Sequence, residues 1–149
     1  MVPNADIIVY SHDRSLALAV ETTISRAPTA EDATELRRHL LMHQLLPRAP
    51  FFLLVNPTSM FLWREATPPT APPDREVSAD AVLNNYCSEE SGKWAMTKGA
   101  LEIVVLHWLC TIANGLREAD PASPPEQMLI DSGLYEQIRN GDVQFDTQS

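Results

Sequence analysis

The sequence is poor in several of the residue patterns on which common active sites depend. Its 149 residues include two cysteines and five glycines. They form no Cys/His metal-binding spacing and no glycine-rich phosphate loop. No internal repeat and no nucleophile elbow occurs either. These gaps argue against a zinc module, a P-loop nucleotide-binding protein and a Ser/His/Asp hydrolase, and they leave carboxylates and scattered bases as the candidates for chemistry.

Positive charge is also scarce. The chain has 11 lysines and arginines against 20 acidic residues, for a net charge of −9. Because nucleic-acid binding draws most of its affinity from neutralised phosphates, tight sequence-independent DNA binding is not expected. Six of the arginines precede residue 65, and the only lysines are Lys93 and Lys98. A modest basic patch, and with it weak DNA binding, therefore stays open.

The N-terminus lacks the basic and apolar regions of a signal peptide. With Cys87 and Cys110 interpreted as reduced, buried thiols, the sequence predicts a cytoplasmic protein. The longest apolar element, about residues 96–116, is interrupted by Glu102 and His107. It therefore predicts a core helix and not a membrane span, so no membrane partner is expected.

The rest of the chain is organised around residues 6–25, where two strand-like runs flank the polar break at 11–14. This pattern predicts a β-hairpin. In its second run Leu16, Leu18, Val20, Thr22 and Ile24 share one face, and Ala17, Ala19, Glu21 and Thr23 share the other. The hairpin register places Asp6 opposite positions 19–21, so Asp6 and Glu21 are expected side by side. Two carboxylates this close repel unless a cation lies between them, and paired oxygen ligands suit Mg²⁺.

The following segments predict a helix over about 30–46 and strands over about 49–55 and 60–64. The order β-β-α-β-β makes the Glu21 strand and the Phe51 strand parallel neighbours. We expect one α/β domain over residues 1–149, with a mixed sheet over about 3–64 flanked by helices. A proline-rich loop over about 65–77 and a helical part over 78–149, ending in a short edge strand at 143–145, complete the prediction.

Residues 4–8, the hairpin and residues 20–23 together resemble the core of the PD-(D/E)XK nuclease superfamily. The resemblance implies a restriction-endonuclease-like fold in which Asp6 and Glu21 hold Mg²⁺ for phosphodiester hydrolysis. The superfamily's lysine, two residues after the acidic residue, helps to generate the attacking hydroxide, and here Thr23 stands in its place. The resemblance also implies that Gln44, on the helix bordering the site, is a polar group behind the metal ligands.

Three functions follow. The first is a nuclease-fold protein with a degenerate site, inactive or weakly active, that acts as a binding or regulatory module, because the Thr23 hydroxyl cannot supply an ammonium charge. The alternative is an active Mg²⁺-dependent DNA endonuclease with a relocated base, for which Lys93 and Lys98 are candidates. Arg26 is a poor proton acceptor. The third is an unrelated α+β domain in which Asp6 and Glu21 are ordinary surface carboxylates.

We also expect a homodimer. Superfamily members usually open with a helix that packs on the sheet, and this sequence reaches Asp6 almost at once. Either that helix is lost or the native chain starts upstream of Met1. Both faces of a small mixed sheet must be covered, and a second copy of the chain can cover the face on which that helix would pack. Sedimentation at tens of micromolar should give the mass of a dimer, and a monomer alone would contradict the expectation.

Overall fold

The computed structural model describes residues 5–24, 29–86 and 97–145. Arg26, Cys87 and Lys93 lie outside the described residues. In this part of the chain, six strands form one mixed sheet with five helices around it: β1 Ile7–Tyr10, β2 Leu16–Thr22, α1 Ala30–Met42, β3 Phe51–Val55, β4 Ser59–Arg64, β5 Arg75–Ser78, α2 Asp80–Tyr86, α3 Lys98–Ala113, α4 Pro124–Ser132, α5 Leu134–Ile138 and β6 Asp142–Phe145. The strand order is β5-β4-β3-β2-β1-β6.

The first two strands form the predicted antiparallel hairpin, with Ile7 opposite Val20 and Val9 opposite Leu18. The pairing then shifts, because Tyr10 lies opposite Leu16 and leaves Ala17 as an extra residue. Such a bulge exchanges the faces of the residues before it. Leu16 packs with the helix α1 side and Ala17 with the opposite side, so the predicted faces hold from Leu18 onward and are wrong for these two positions.

Helix α1 is the crossover between β2 and β3, which are parallel neighbours as predicted. Thr29 caps its start in a capping box with Asp32, and this reciprocal pair satisfies two backbone donors. The helix ends at Met42, earlier than predicted, because Gln44 has a φ of 55° and the left-handed conformation ends a helix.

The proline-rich segment over about 65–77 is not a loop throughout, as predicted, because its last residues belong to strand β5. Strand β5 pairs antiparallel with β4, and Asp74 fixes its entry by accepting a hydrogen bond from the Arg64 N–H at 2.8 Å. All four prolines of the segment, at 68, 69, 72 and 73, precede the strand. The residues of β5 therefore have the backbone N–H groups that proline lacks, and the strand can pair with β4 at the edge of the sheet.

The sheet lies between two helical layers. On one face α1 packs over a cluster that includes Phe52, Phe61 and Trp63. On the other, α2 to α5 cover a larger cluster that includes Leu18, Leu53 and Trp108. Among the described residues, no helix is long and apolar enough to cross a membrane. The molecule is thus an α/β protein with a mixed sheet between two helical layers.

Strand β6 joins the sheet next to β1, with Tyr10 opposite Asp142. Gly141 makes this approach possible, because a Cβ there would collide with the Tyr10 carbonyl oxygen and lie 2.9 Å from that of Ile138. Both neighbours are backbone atoms that cannot move aside without displacing a strand or a helix. The glycine is required by space and not by its backbone angles.

We therefore predict that Gly141→Ala lowers the free energy of unfolding by about 1–3 kcal/mol. Gly99→Ala is the matched control, since nothing lies within 4 Å of a Cβ at that position. Because Gly99 lies in α3, the control should be neutral or stabilising by up to about 1 kcal/mol. Urea unfolding of both variants tests this, and equal stability of the two would contradict it.

Candidate acid–base site at the hairpin end

The β1–β2 hairpin brings Asp6, just before β1, to the end of β2. The Asp6 N–H donates to the Val20 carbonyl at 3.0 Å. Its carboxylate in turn accepts two hydrogen bonds on Oδ2, from the Thr22 N–H at 2.8 Å and the Thr22 hydroxyl at 3.0 Å. Asp6 is thus fixed by the last residue of the neighbouring strand, and its orientation is determined by the backbone pairing itself.

Glu21 lies beside Asp6, as the hairpin register predicts. Burial and then repulsion by the Asp6 charge raise the pKa of Glu21 to about 7, although Lys98 opposes the shift. A hydrogen bond between the two carboxyl groups favours the protonated form of Glu21 further. Near neutral pH this side chain can therefore either hold or release a proton.

Lys98 supplies the positive charge of the site. It is the first residue of α3, and Thr97 positions it by capping the helix through the Ala100 N–H. Its Nζ lies 2.6 Å from Asp6 Oδ2, 3.0 Å from Thr22 Oγ1 and 2.9 Å from Glu102 Oε1. Burial opposes its charge, but the hydrogen bonds to the two carboxylates prevail and raise the pKa of Lys98.

We call these five residues the Asp6–Lys98 cluster; its members are Asp6, Glu21, Thr22, Lys98 and Glu102. The Lys98 side chain keeps 46% of its surface exposed and that of Asp6 20%. A ligand can therefore reach the ammonium and the carboxylates from solvent. An exposed ammonium, a fixed carboxylate and a carboxyl group that titrates near pH 7 are the groups needed for charge stabilisation and proton transfer.

Thr23, the residue in the position of the superfamily's lysine, directly follows β2. Its N–H donates to the Val55 carbonyl at 2.9 Å and so continues the pairing with β3. By strand alternation its side chain lies on the Glu21 side of the sheet. The ammonium of the cluster comes instead from Lys98, which lies 92 residues from Asp6 in the sequence.

Gln44 is not brought to the cluster, which corrects the prediction. Helix α1 runs back along the sheet, so its C-terminal end lies where β3 begins, whereas Glu21 lies near the end of β2. Gln44 is exposed there and lines a cavity with Leu46 and Ala49. A crossover helix returns the chain to the start of the next parallel strand. The end of the helix, with Gln44, therefore lies away from the end of β2, with Glu21.

Sequence reasoning missed Thr22 and Glu102. Strand alternation predicts that Thr22 and Glu21 lie on opposite faces of the sheet. The Thr22 hydroxyl nevertheless reaches the Asp6 carboxylate, because Asp6 precedes β1 and is not part of the alternating strand. For Glu102 the sequence offers one indication, its i, i+4 spacing from Lys98, because opposite charges at this spacing pair on a helix. That spacing could have linked the two residues to each other, but not to Asp6.

The donor set is chemically suited to a hard cation. Mg²⁺ is usually held by one or two carboxylates together with water and substrate phosphates, and Asp6 and Glu21 provide the two carboxylates. Within the described ranges, no group of three or more His, Cys, Asp or Glu side chains is arranged to hold a metal ion. Lys98 now contacts Asp6 Oδ2, so a metal there would share this oxygen with the ammonium or displace it.

Comparisons of the chain with family models, with curated proteins and with solved structures found no match. The chemistry of the cluster is therefore argued from its own geometry.

The raised pKa of Glu21 gives a pH-dependent prediction. A carboxyl group whose folded pKa lies above its unfolded value contributes stability below about pH 4.5 that is lost as the pH rises through about 7. In chelator-containing buffer, Glu21→Gln should therefore be more stable than the natural chain at pH 8, by about 1–2 kcal/mol since the carboxyl is only partly buried. The advantage should disappear at pH 4.5. Chemical unfolding across this range measures it.

Glu76→Gln, at an exposed position of β5, is the matched control and should show no such trend. A stability difference for Glu21→Gln that stays constant between the two pH values would contradict the assignment.

Proposed function

We propose that this protein is a metal-dependent phosphodiesterase of the PD-(D/E)XK type in which Lys98 provides the ammonium that Thr23 cannot. Asp6 and Glu21 are the proposed Mg²⁺ ligands. The observation that carries the proposal is the position of Lys98 Nζ, 2.6 Å from Asp6 Oδ2 and 3.0 Å from Thr22 Oγ1. Lys98 would thus supply the ammonium charge that the sequence motif lacks, because Thr23 stands in the place of the motif's lysine.

The architecture is compatible with this proposal. An antiparallel hairpin, a crossover helix and a parallel strand occur in the order expected of a restriction-endonuclease-like core. The acidic pair lies at the open end of the hairpin, where α3 begins. Because one fold can carry many functions, the residues of the Asp6–Lys98 cluster carry the proposal.

A bound divalent metal would position and activate the attacking water and offset charge on the phosphate. In hydrolysis, a water oxygen bonds to phosphorus and the bond from phosphorus to the leaving oxygen breaks. The attacking water loses a proton to solvent, and the leaving oxygen takes one up from solvent. Lys98 can donate hydrogen bonds to the phosphate oxygens, where negative charge grows. Glu102 and Asp6 hold its ammonium in place. Thr22 fixes Asp6, so the ligand oxygen is oriented before substrate arrives.

The second candidate is a nuclease-fold binding or regulatory module without catalysis. The ion pair of Lys98 with Asp6, at 2.6 Å, favours it, because a metal must compete with a cation built into the chain. The net charge of −9 also disfavours a strongly held nucleic acid. This candidate predicts a stable cluster that neither binds Mn²⁺ nor cuts a phosphodiester.

The test is phosphodiester cleavage in Mg²⁺ or Mn²⁺, with duplex DNA, single-stranded DNA and a small aryl phosphodiester as substrates. The small substrate removes the penalty of charge repulsion on binding. We expect metal-dependent cleavage that Lys98→Met lowers by about 10²–10³-fold and that Asp6→Asn abolishes. Full activity in Lys98→Met would contradict the role given to Lys98.

Two further variants separate Lys98 from Thr23. Thr23→Ala should leave the rate within about twofold, because the hydroxyl has no part in the proposed chemistry. In the Lys98→Met background, Thr23→Lys returns an ammonium to the superfamily position and should recover part of the lost rate. Failure of the natural chain to bind Mn²⁺ or to cut any of the three substrates would favour the binding module.

A further inference from the structure

The C-terminal end of α1 carries two histidines on its outer face, His39 in the last turn and His43 at the C-cap. Both are exposed, whereas Leu36 and Leu40 of the same helix pack against the sheet. The two imidazole rings lie side by side, with centroids 4.4 Å apart and planes inclined by 54°. Because residues four apart on a helix are neighbours on its surface, this contact follows from the sequence spacing.

The backbone holds the two histidines in place. The His43 N–H donates to the His39 carbonyl at 3.1 Å, so a helical hydrogen bond joins the same two residues. The Leu45 N–H then donates to the Leu40 carbonyl at 2.8 Å, which closes the end of the helix. The spacing of the two side chains is therefore fixed before any ligand binds.

The ring nitrogens of both histidines are available to a ligand. Among the described residues, neither imidazole takes part in a hydrogen bond or an ion pair. Glu35, one turn before His39, is paired with Arg38 at 2.9 Å, and the Arg38 guanidinium also contacts the Met42 sulfur at 3.1 Å. The polar neighbours of the pair are thus bound to each other, and two adjacent imidazoles are what this surface offers to a ligand.

We propose that His39 and His43 together bind one transition-metal ion of the Zn²⁺ class. Imidazole suits Zn²⁺, Cu²⁺ and Ni²⁺, whereas Mg²⁺ prefers oxygen ligands, and histidines four apart on one helix face are a known zinc-binding arrangement. Zn–N bonds of about 2.0–2.1 Å at a tetrahedral angle place the two nitrogens about 3.3 Å apart. Rings with centroids 4.4 Å apart can reach this separation by rotation of the side chains alone.

The ion has two protein ligands at this site. Within the described ranges, no third His, Cys, Asp or Glu completes the set. Zn²⁺ prefers four ligands, so its two other positions are filled by water or by a small molecule from solution. The site shares no residue with the Asp6–Lys98 cluster and takes a different class of metal. It is therefore independent of the proposed phosphodiesterase function.

Long-range ¹H–¹⁵N NMR of the imidazoles in the full chain tests the proposal, with ZnCl₂ as the probe at about pH 7.5, since metal binding needs deprotonated ligands. Zn²⁺ should shift the ring signals of His39 and His43 along one common saturation curve. MgCl₂ at the same concentrations should leave both signals unchanged. No saturable shift below about 1 mM Zn²⁺, or a shift of one ring only, would overturn the proposal.

Variants of exposed residues locate the ion. His39→Gln and His43→Gln should each weaken Zn²⁺ binding at the remaining ring at least about tenfold, because the second bond of a chelate gains from a high effective concentration. His12→Gln, at an exposed position of the hairpin, is the matched control and should leave the curve unchanged. Asp6→Asn should also leave it unchanged. Full binding in either variant of the pair, or loss of the shift in Asp6→Asn, would contradict the proposal.

Backbone hydrogen exchange at His43 gives a second measurement. Opening of the last turn separates the two imidazoles, so an ion bound to both rings opposes this opening. At ten times its dissociation constant, Zn²⁺ should slow exchange of the His43 amide by up to about tenfold. The same concentration should have no such effect in His39→Gln. An exchange rate in the natural chain that Zn²⁺ leaves unchanged would contradict binding by both rings.

Discussion

The ion pair between Lys98 and Asp6 is the interaction on which the site depends. It joins the first residue of α3 to the residue just before β1, across 92 positions of sequence. Without the ammonium, the Asp6 carboxylate would face Glu21 with no positive charge of Lys98 to offset their repulsion. Thr22 and Glu102 complete the arrangement by holding the two partners in place, so the geometry of the cluster follows from both the hairpin and the helix.

The cluster brings together features that a structure designed only for stability would avoid. Glu21 is partly buried beside another carboxylate, and its pKa of about 7 means that ionisation in the folded state is costly at neutral pH. Perturbed carboxyl groups beside a specific charge partner are more frequent in functional sites than elsewhere. A divalent cation bound to the two carboxylates would offset the cost of ionising Glu21. The electrostatics of the hairpin end therefore agree with the proposed metal-dependent chemistry.

Local patterns in the sequence predicted the hairpin, the crossover helix, the parallel pair β2 and β3 and the closeness of Asp6 to Glu21. These features follow from strand alternation, capping and the handedness of short connections. The bulge at Ala17, the strand hidden behind four prolines and the arrival of Lys98 beside Asp6 could not be predicted in this way. Each depends on packing between distant segments, and no periodicity within one segment encodes it. The prediction for Gln44 was wrong because it was taken from the resemblance and did not consider the direction in which α1 runs.

Paramagnetic broadening of the backbone NMR spectrum by Mn²⁺ tests directly whether a metal binds at the Asp6–Lys98 cluster. We expect selective broadening of the amides of Asp6, Glu21, Thr22 and Lys98 at low metal concentration, and its loss in Asp6→Asn. Such a pattern would place the ion between the hairpin end and the start of α3. Broadening spread evenly over exposed acidic residues, or unchanged by Asp6→Asn, would contradict a metal site at the Asp6–Lys98 cluster.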